Sequence, residues 1–327
     1  MTYAQYIKAI GSGAESARSL SSEDARQLFA AMLDGGVPDL ELGALMLGLR
    51  VKGESLEEMS GFMAAVDGRT HILDVPHGRL RAVVLPSYNG ARKEANLTAL
   101  LALLLQRFGV PVLVHGLLEG LGRVTTGHVF RELGIKPSIT PDQIQLALDS
   151  QRLAFAPLNA LSPGIHKLLA LRARMGVRNC AHSLVKMIDP FQGAGVVIAA
   201  ATHPVFLDLM RGLLQARDGR AILLRGTEGE PYANPKRRPR LEYVHEGQAE
   251  TLFEAEHDSL RGLPNLPAAA DAVSTAQWIR KVLDNQVPLP KPIANQLSCC
   301  LYASGYAEDL NQAKAIIAIE NSGLTTA

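Results

Sequence analysis

The chain has almost no excess of charge of either sign. Its 33 lysines and arginines stand against 32 aspartates and glutamates, a formal net charge of +1 over 327 residues. A uniformly basic chain is excluded, so contact with an acidic partner would need cations gathered locally. Cysteine is scarce, with Cys180, Cys299 and Cys300 only. Three cysteines without a Cys-x-x-Cys spacing exclude a disulfide framework and a cysteine zinc site. Adjacent Cys299 and Cys300 are expected to pack within a C-terminal helix, since neighbours rarely bridge. Long apolar runs are also missing. The longest, Leu97–Val114, is broken by Gln106, Arg107 and Gly109 and is too short to span a bilayer. No basic start followed by an apolar run opens the chain, so a cytoplasmic location with no membrane partner is expected. No internal repeat, low-complexity tail, helix-turn-helix, zinc finger or RNA-recognition signature is present, which argues against base-specific readout.

What remains is an ordinary globular composition, 47% apolar and 20% charged, long enough for two domains or for one large domain with a smaller partner. Residues 1–70 read as helices. Ser22 precedes Glu23-Asp24, and Ala25, Leu28, Phe29 and Met32 share one helical face. Gly35-Gly36 ends that helix and Pro38 helps to start the next, over Leu40–Arg50. Ser55 caps a third helix, with Leu56, Met59, Phe62 and Met63 on one side. After His71, strand-like runs alternate with helical ones. Arg81–Leu85, Val110–Val114, Val196–Ala200 and Ala221–Leu224 read as strands. Leu97–Phe108, Thr126–Leu133, Pro141–Asp149 and Val205–Gln215 read as helices, followed by Ser274–Leu283, Leu289–Ala303 and Asp309–Glu320. That alternation predicts an α/β fold with a mainly parallel sheet.

Two stretches carry chemistry. Residues 83–98, VVLPSYNGARKEANLT, run from a strand through a turn into a helix, the geometry at which α/β proteins hold phosphate. Yet the turn has one glycine, Gly90, and carries Arg92, Lys93 and Glu94. Residues 225–245 read as a long loop, because three prolines punctuate it, and Lys236, Arg237, Arg238 and Arg240 crowd within it. A basic run is usually a solvated surface, but a Pro-punctuated one is also a candidate for phosphate contacts.

Leu40–Phe62, Asn96–Gly116 and Arg172–Asn179 resemble, in order and spacing, signature segments of the anthranilate phosphoribosyltransferase family. The resemblance runs over roughly residues 20–230. It implies a small N-terminal helical domain, residues 1–75 joined by a segment near 165–190, and a larger α/β domain, residues 76–327, with a mainly parallel central sheet. Where the family sets a Gly-Thr-Gly-Gly-Asp loop against a pyrophosphate, this chain has Pro86-Ser87-Tyr88-Asn89-Gly90. The family's Lys-His-Gly-Asn-Arg segment is here Val114-His115-Gly116-Leu117-Leu118. Its magnesium-holding Asp-Glu pair falls at Pro231-Tyr232, with Glu228 and Glu230 nearby as candidates for a shifted metal site. Its His-Pro-Ala is Ser162-Pro163-Gly164, and Lys186 stands where the family has a proline. Arg172 aligns with the arginine near the anthranilate carboxylate, Arg178 persists, and Asn96 and Thr98 match the Asn-x-Ser that follows the phosphate loop.

Phosphate-compatible positions thus remain (Asn89, Gly90, Asn96, Thr98, His115 and Gly116), while the metal pair and the glycine cradle do not. Each such loss is expected to cost several kcal/mol of transition-state stabilisation, so efficient anthranilate phosphoribosyl transfer is not expected and no catalytic residue is assigned. These departures resemble those of the YbiB-like subfamily, which implies a sequence-nonspecific DNA- or RNA-binding homodimer paired through its N-terminal helices, without cofactor or metal. Arg92, Lys93, Arg172, Arg178, Lys186, Lys236, Arg237, Arg238 and Arg240 are then the expected phosphate contacts, bordering one cleft, with Tyr88 and Tyr232 as stacking candidates. The alternative is a glycosyltransferase-class enzyme with an altered acceptor, using magnesium and phosphoribosyl pyrophosphate, with Arg172 and His115 near the acceptor. A third reading is a degenerate enzyme that binds a small anionic metabolite.

Overall fold

Helix signals near the N-terminus act one by one in the computed structural model, which describes residues 2–13, 16–257 and 265–322. α1 (Tyr3–Gly11) starts from a capping box between Thr2 and Gln5. α2 (Ser22–Asp34) is capped by Ser21, one residue earlier than the sequence suggests, whose hydroxyl accepts the Asp24 N–H. α3 (Asp39–Lys52) follows Pro38, and α4 (Leu56–Asp67) opens with a Ser55–Glu58 capping box. α2 and α4 lie close because position 61 has no side chain. A Cβ at Gly61 would stand 2.2 Å from the Ser22 carbonyl oxygen. Phe29 and Phe62 stack across this contact with ring centroids 4.8 Å apart.

Glu58 does more than cap its helix. Its fully buried carboxylate accepts the Leu20 N–H at 2.9 Å, the Ser55 N–H at 2.8 Å and the Lys52 ammonium at 2.7 Å. It thereby ties the α1–α2 connection to the α3–α4 turn. A buried carboxylate is tolerated only when so satisfied.

The chain then alternates through β1 (Val83–Ser87), α5 (Thr98–Arg107), β2 (Val112–Gly116), α6 (Thr126–Glu132), α7 (Pro141–Gln151) and β3 (Leu153–Pro157). Four short helices follow: α8 (Leu158–Leu161), α9 (Pro163–Ala170), α10 (Arg172–Met175) and α11 (Ala181–Leu184). β4 (Val196–Ala201), α12 (Pro204–Gln215), β5 (Arg220–Arg225), β6 (Leu241–His245) and β7 (Gln248–Phe253) complete the sheet. α13 (Ala272–Leu283), α14 (Lys291–Ser304) and α15 (Leu310–Ser322) close the described chain. Strand order is β3-β2-β1-β4-β5-β6-β7. The pairs among β1 to β5 are parallel, and β6 and β7 add antiparallel. The winding direction reverses at β1, which lies between β2 and β4, so a crevice forms at the C-terminal strand ends there.

Strand alternation divides the core. Val84, Leu113, Val197 and Leu223 face one cluster with α1–α4, α8, α9 and α12, while Val83, Val112, Val196 and Ile222 face the other with α5, α6, α13, α14 and α15. Cys299 and Cys300 are buried in α14, as expected. The long loop expected over residues 225–245 ends early. Leu241–His245 is strand β6, with Leu241 opposite Leu224 and Tyr243 opposite Ile222, because the last proline is Pro239 and the residues after it alternate against β5. The apolar stretch Leu40–Leu49 is divided. Leu45, Met46 and Leu49 belong to the core, whereas Leu40 and Leu47 are exposed. Among the described residues no helix is long and apolar enough to cross a membrane.

Replacing Glu58 by Ala leaves Lys52 and two backbone N–H groups without their acceptor, and is expected to lower unfolding free energy by about 3–5 kcal/mol. Urea unfolding followed by circular dichroism checks this, and an unchanged midpoint would refute the role given to the carboxylate.

Candidate functional site

The site lies where β1, β2, β4 and β5 end. Beyond β1 the chain turns at Tyr88-Asn89-Gly90, with Gly90 at φ +63°. The turn is pinned by a bridge between Ala91 and Val124, so close that a Cβ at Gly90 would stand 2.9 Å from the Arg123 Cβ. Its N–H groups converge on one side chain from the loop after β5. One carboxylate oxygen of Glu230 accepts the N–H groups of Asn89 at 2.7 Å and Gly90 at 2.8 Å. The other oxygen accepts the Ser87 hydroxyl, the Thr98 hydroxyl at 3.4 Å and the Asn96 amide at 3.4 Å. Glu230 is completely buried.

A second carboxylate continues the pattern. Glu228 Oε1 accepts three successive N–H groups, from Arg92 at 3.0 Å, Lys93 at 2.7 Å and Glu94 at 3.0 Å. Its Oε2 lies 3.3 Å from the Arg123 guanidinium. Burial pushes this carboxyl up, but the three amides and Arg123 outweigh it and hold the group below the ordinary carboxylate range. The two glutamates reach these positions because Gly229 (φ +87°) packs against Asn89, where a Cβ would stand 1.8 Å from the Asn89 amide nitrogen. Five donors of one turn, a concavity suited to anionic oxygens, are thus aimed at the chain's own carboxylates.

Asn89, Gly90, Asn96 and Thr98, which the sequence places at a phosphate, do come together, but around Glu230. Glu228 and Glu230 do not form a shifted metal site, since their oxygens face N–H and O–H donors. Among the described residues no group of three or more His, Cys, Asp or Glu side chains is arranged to hold a metal ion. Gly116 ends β2 opposite Ser87. His115 is buried beside it and hydrogen-bonded through Nδ1 to the Tyr88 hydroxyl. Burial pushes His115 down to about 3, so it is neutral at pH 7 and supplies no cation. Tyr232 is fully buried and donates to the Ala95 carbonyl at 2.7 Å, which removes it as a stacking surface. Tyr88 lines a cavity of about 500 Å³ together with Leu117, Leu121, Leu158, Leu169 and Arg172.

The expected cations divide into two sets. Arg178, half-buried, donates to the Asn89 side-chain oxygen at 3.3 Å. Its proton affinity is lowered by burial and then by repulsion from Arg172, Arg123 and Arg50. Lys186 is 6% exposed and donates to the Ala200 carbonyl at 2.9 Å and the Gly229 carbonyl at 3.0 Å. Burial pushes it down to about 8, against the pull of Glu230 and with the push of Arg178. Arg92 and Lys93 are exposed at the turn. Arg50 and Arg123 join this group, beyond the residues expected from sequence. Arg50 sits in the family-like segment Leu40–Phe62 and is findable there, whereas Arg123 has no local signal.

The basic loop is different. Lys236 pairs with Glu94 at 2.8 Å. Arg238 pairs with Glu256 at 3.2 Å and lies over the Phe253 ring, and Arg240 reaches Glu242 at 3.4 Å. Only Arg237 of the four is exposed without such a carboxylate among the described residues. The loop is therefore largely neutralised, by Glu94 from 142 residues away, by Glu256 and by the near neighbour Glu242. Arg238 and Arg240 also lie by the β6–β7 edge, separated from β1 by β4 and β5.

Glu230→Ala leaves buried donors without an acceptor, at about 1–3 kcal/mol for each group. A lower melting temperature is expected for this variant. Inorganic pyrophosphate should then raise it by more than it raises that of the wild type. Differential scanning fluorimetry reads both, and a variant as stable as the wild type would contradict the geometry.

Comparison with known proteins agrees with this architecture. Residues 4–68 match a family model described as glycosyl transferase family, helical bundle domain. YbiB of Escherichia coli (strain K12) is 43% identical over 96% of this chain and 98% of its own. The anthranilate phosphoribosyltransferase of Methanopyrus kandleri is 25% identical over 84% of this chain and 82% of its own. Among solved structures, the anthranilate phosphoribosyltransferase of Thermus thermophilus superposes with a TM-score of 0.74 at 22% identity, covering 98% of this chain and 95% of that one. The Saccharomyces cerevisiae enzyme, in complex with phosphoribosyl pyrophosphate and magnesium, gives 0.74 at 12% identity, covering 98% and 94%. With a helical bundle beside a mainly parallel α/β sheet, and a full-length relative in YbiB, the chain belongs to the anthranilate phosphoribosyltransferase-like family, within its YbiB-like group.

Proposed function

We propose that the protein binds nucleic acid without sequence preference and does not carry out efficient phosphoribosyl transfer. The observation that carries this reading is the seating of Glu228 and Glu230 in the turn after β1. A pyrophosphate would need the N–H groups that these carboxylates already hold. Displacing two buried or half-buried carboxylates in favour of a metal-bound anion would strip five hydrogen bonds first.

The cations beside this filled seat support the second half. Arg50, Arg172, Arg178, Arg92 and Lys93 form no ion pair with a carboxylate among the described residues. Arginines that repel one another across a partly buried surface gain most when an external polyanion arrives. Arg123 and Lys186 add to the field from below, already partly engaged. The basic loop contributes through Arg237, with Lys236, Arg238 and Arg240 free to contribute only on exchange of their acidic partners. With about four to six phosphates neutralised, log affinity should fall against log salt with a slope of roughly −4 to −5 on duplex DNA.

A homodimer through the N-terminal helices belongs to the same proposal. Leu40 and Val51 at the two ends of α3 are 82% and 79% exposed, and pairing would cover them. A two-fold pair would present two such surfaces to one polymer and raise its avidity. The competing reading, a transferase with an altered acceptor, draws on the 500 Å³ cavity beside Arg172 and requires phosphoribosyl pyrophosphate with magnesium.

Fluorescence anisotropy with oligonucleotides of increasing length tests the proposal. Tight, length-dependent, salt-sensitive binding is expected, undisturbed by phosphoribosyl pyrophosphate and magnesium. The double variant Arg172→Glu/Arg178→Glu should weaken it at least about a hundredfold, whereas Arg238→Ala should change it little. An absence of binding at low salt would remove the proposal and favour the transferase.

The buried Lys186 adds a pH dependence. Its ammonium is depressed to about 8 in the free protein, and a bound polyanion favours the charged form. Binding therefore takes up a proton just above pH 8, and affinity should fall as pH rises from about 7 to about 9. Ordinary surface lysines, at ~10.4, would not respond in that window. Lys186→Met should flatten the profile, and an unchanged slope in that variant would exclude Lys186 as its source.

A further inference from the structure

A second, smaller cavity of about 150 Å³ opens where the end of α3 meets α11 and the start of α12. Arg50, Arg178, His182, Lys186 and His203 line it, with Glu54 as the one acid. Burial pushes the Glu54 carboxyl up, while Arg50 and Lys52 pull it back down.

The donors are held ready rather than consumed. The Arg50 guanidinium lies over the Phe206 ring, 5.6 Å from its centroid, a contact that orients the group without using its N–H bonds. Arg178 gives one N–H to the Asn89 side chain. Lys186, more than nine-tenths buried, gives two of its three N–H bonds to the carbonyls of Ala200 and Gly229. Neither arginine forms an ion pair with a carboxylate among the described residues, and Arg50 lowers the proton affinity of Arg178. His182 is pushed down to about 4 by burial and by Arg178, so at neutral pH it serves as a neutral hydrogen-bonding group.

Size then selects the ligand. A space of 150 Å³ corresponds to about five waters at ~30 Å³ each. It suits one tetrahedral oxyanion with part of its hydration, and falls below the ~300 Å³ at which small-molecule sites begin. An internal phosphodiester would bring a sugar on either side. A terminal monoester brings one, exposes three oxygens and carries about −1.5 to −2 charges at pH 7.

We propose that this cavity is a socket for a phosphate monoester dianion, filled by the phosphorylated end of a nucleic-acid strand or by free phosphate. The first source rests on the nucleic-acid reading above, and the second does not. The socket is separate from the carboxylate-filled turn after β1, to which it is linked through Arg178 and Asn89. It gives the protein a means of distinguishing strand ends by their chemistry while remaining indifferent to base sequence.

Anisotropy titrations would compare one oligonucleotide carrying a hydroxyl, a 5′-phosphate or a 3′-phosphate end. Scanning fluorimetry would use inorganic phosphate at constant ionic strength. Wild-type protein is expected to prefer one phosphorylated end about tenfold and to gain melting temperature with phosphate. Arg50→Gln should bring the ratio of the two ends to one, and Arg50→Lys should restore part of it. A phosphate-dependent melting shift lost in Arg50→Gln, without an end preference, would keep the socket and assign it to free phosphate. Equal binding of all ends with no phosphate effect would overturn the socket and leave the nucleic-acid proposal standing. Binding of phosphate but of no strand would do the reverse.

Discussion

The Glu230 carboxylate, sealed from water at the C-terminal end of the sheet, is the interaction around which the rest of the site is arranged. A buried carboxylate must be surrounded by donors or it will not remain charged. Here the donors come from three places: the turn after β1, the start of α5 and the end of β1 itself. One side chain therefore fixes the loop after β5 against the loop after β1, across the point where the winding of the sheet reverses. Glu228 repeats the arrangement one turn further out and adds Arg123. The concavity that a Gly-rich loop would offer to a diffusible anion is here a structural joint.

That joint redistributes charge. The two glutamates face inward onto amides, and among the described arginines beside them only Arg123 is paired with one, Glu228. Arg50 from α3, Arg172 from α10 and Arg178 from the segment before α11 come close enough for Arg50 and Arg172 to repel Arg178, and none of the three forms an ion pair with a carboxylate among the described residues. The loop at residues 236–240 has the opposite fate. Glu94, Glu242 and Glu256 meet its side chains one by one. Two basic groups of similar appearance in the sequence thus end with opposite electrostatic characters, one open to an external anion and one closed by internal pairs.

Hydrophobic period and end signals made the architecture legible. Strands β1, β2, β4 and β5 and most long helices follow from runs such as Val196–Ala200 and from caps such as Ser55. Local patterns of this kind are properties of a few consecutive residues, and burial selects them directly. The elements that escaped are those whose identity depends on a neighbour. β3, β6 and β7 are strands because β2, β5 and β6 lie beside them, and α8–α11 are short helices without enough turns to show a period. The candidate site was half legible. Its positions after β1 were recognisable from family-like spacing, and so were Arg172, Arg178 and Lys186. Their partners were not.

By itself, the sequence determined the helical start, the α/β alternation, the place of the turn after β1, and its single glycine, Gly90. These depend on side-chain shape and on contacts within a few residues. Only the tertiary structure decided what fills the turn and which cations are free. Glu230 meets Asn89 from 141 residues away, and Lys236 meets Glu94 from 142. Electrostatic pairing across such separations has no local pattern to carry it. The physical reason is that a charge's role is set by what folding places within a few ångströms of it, and by how much water folding leaves there.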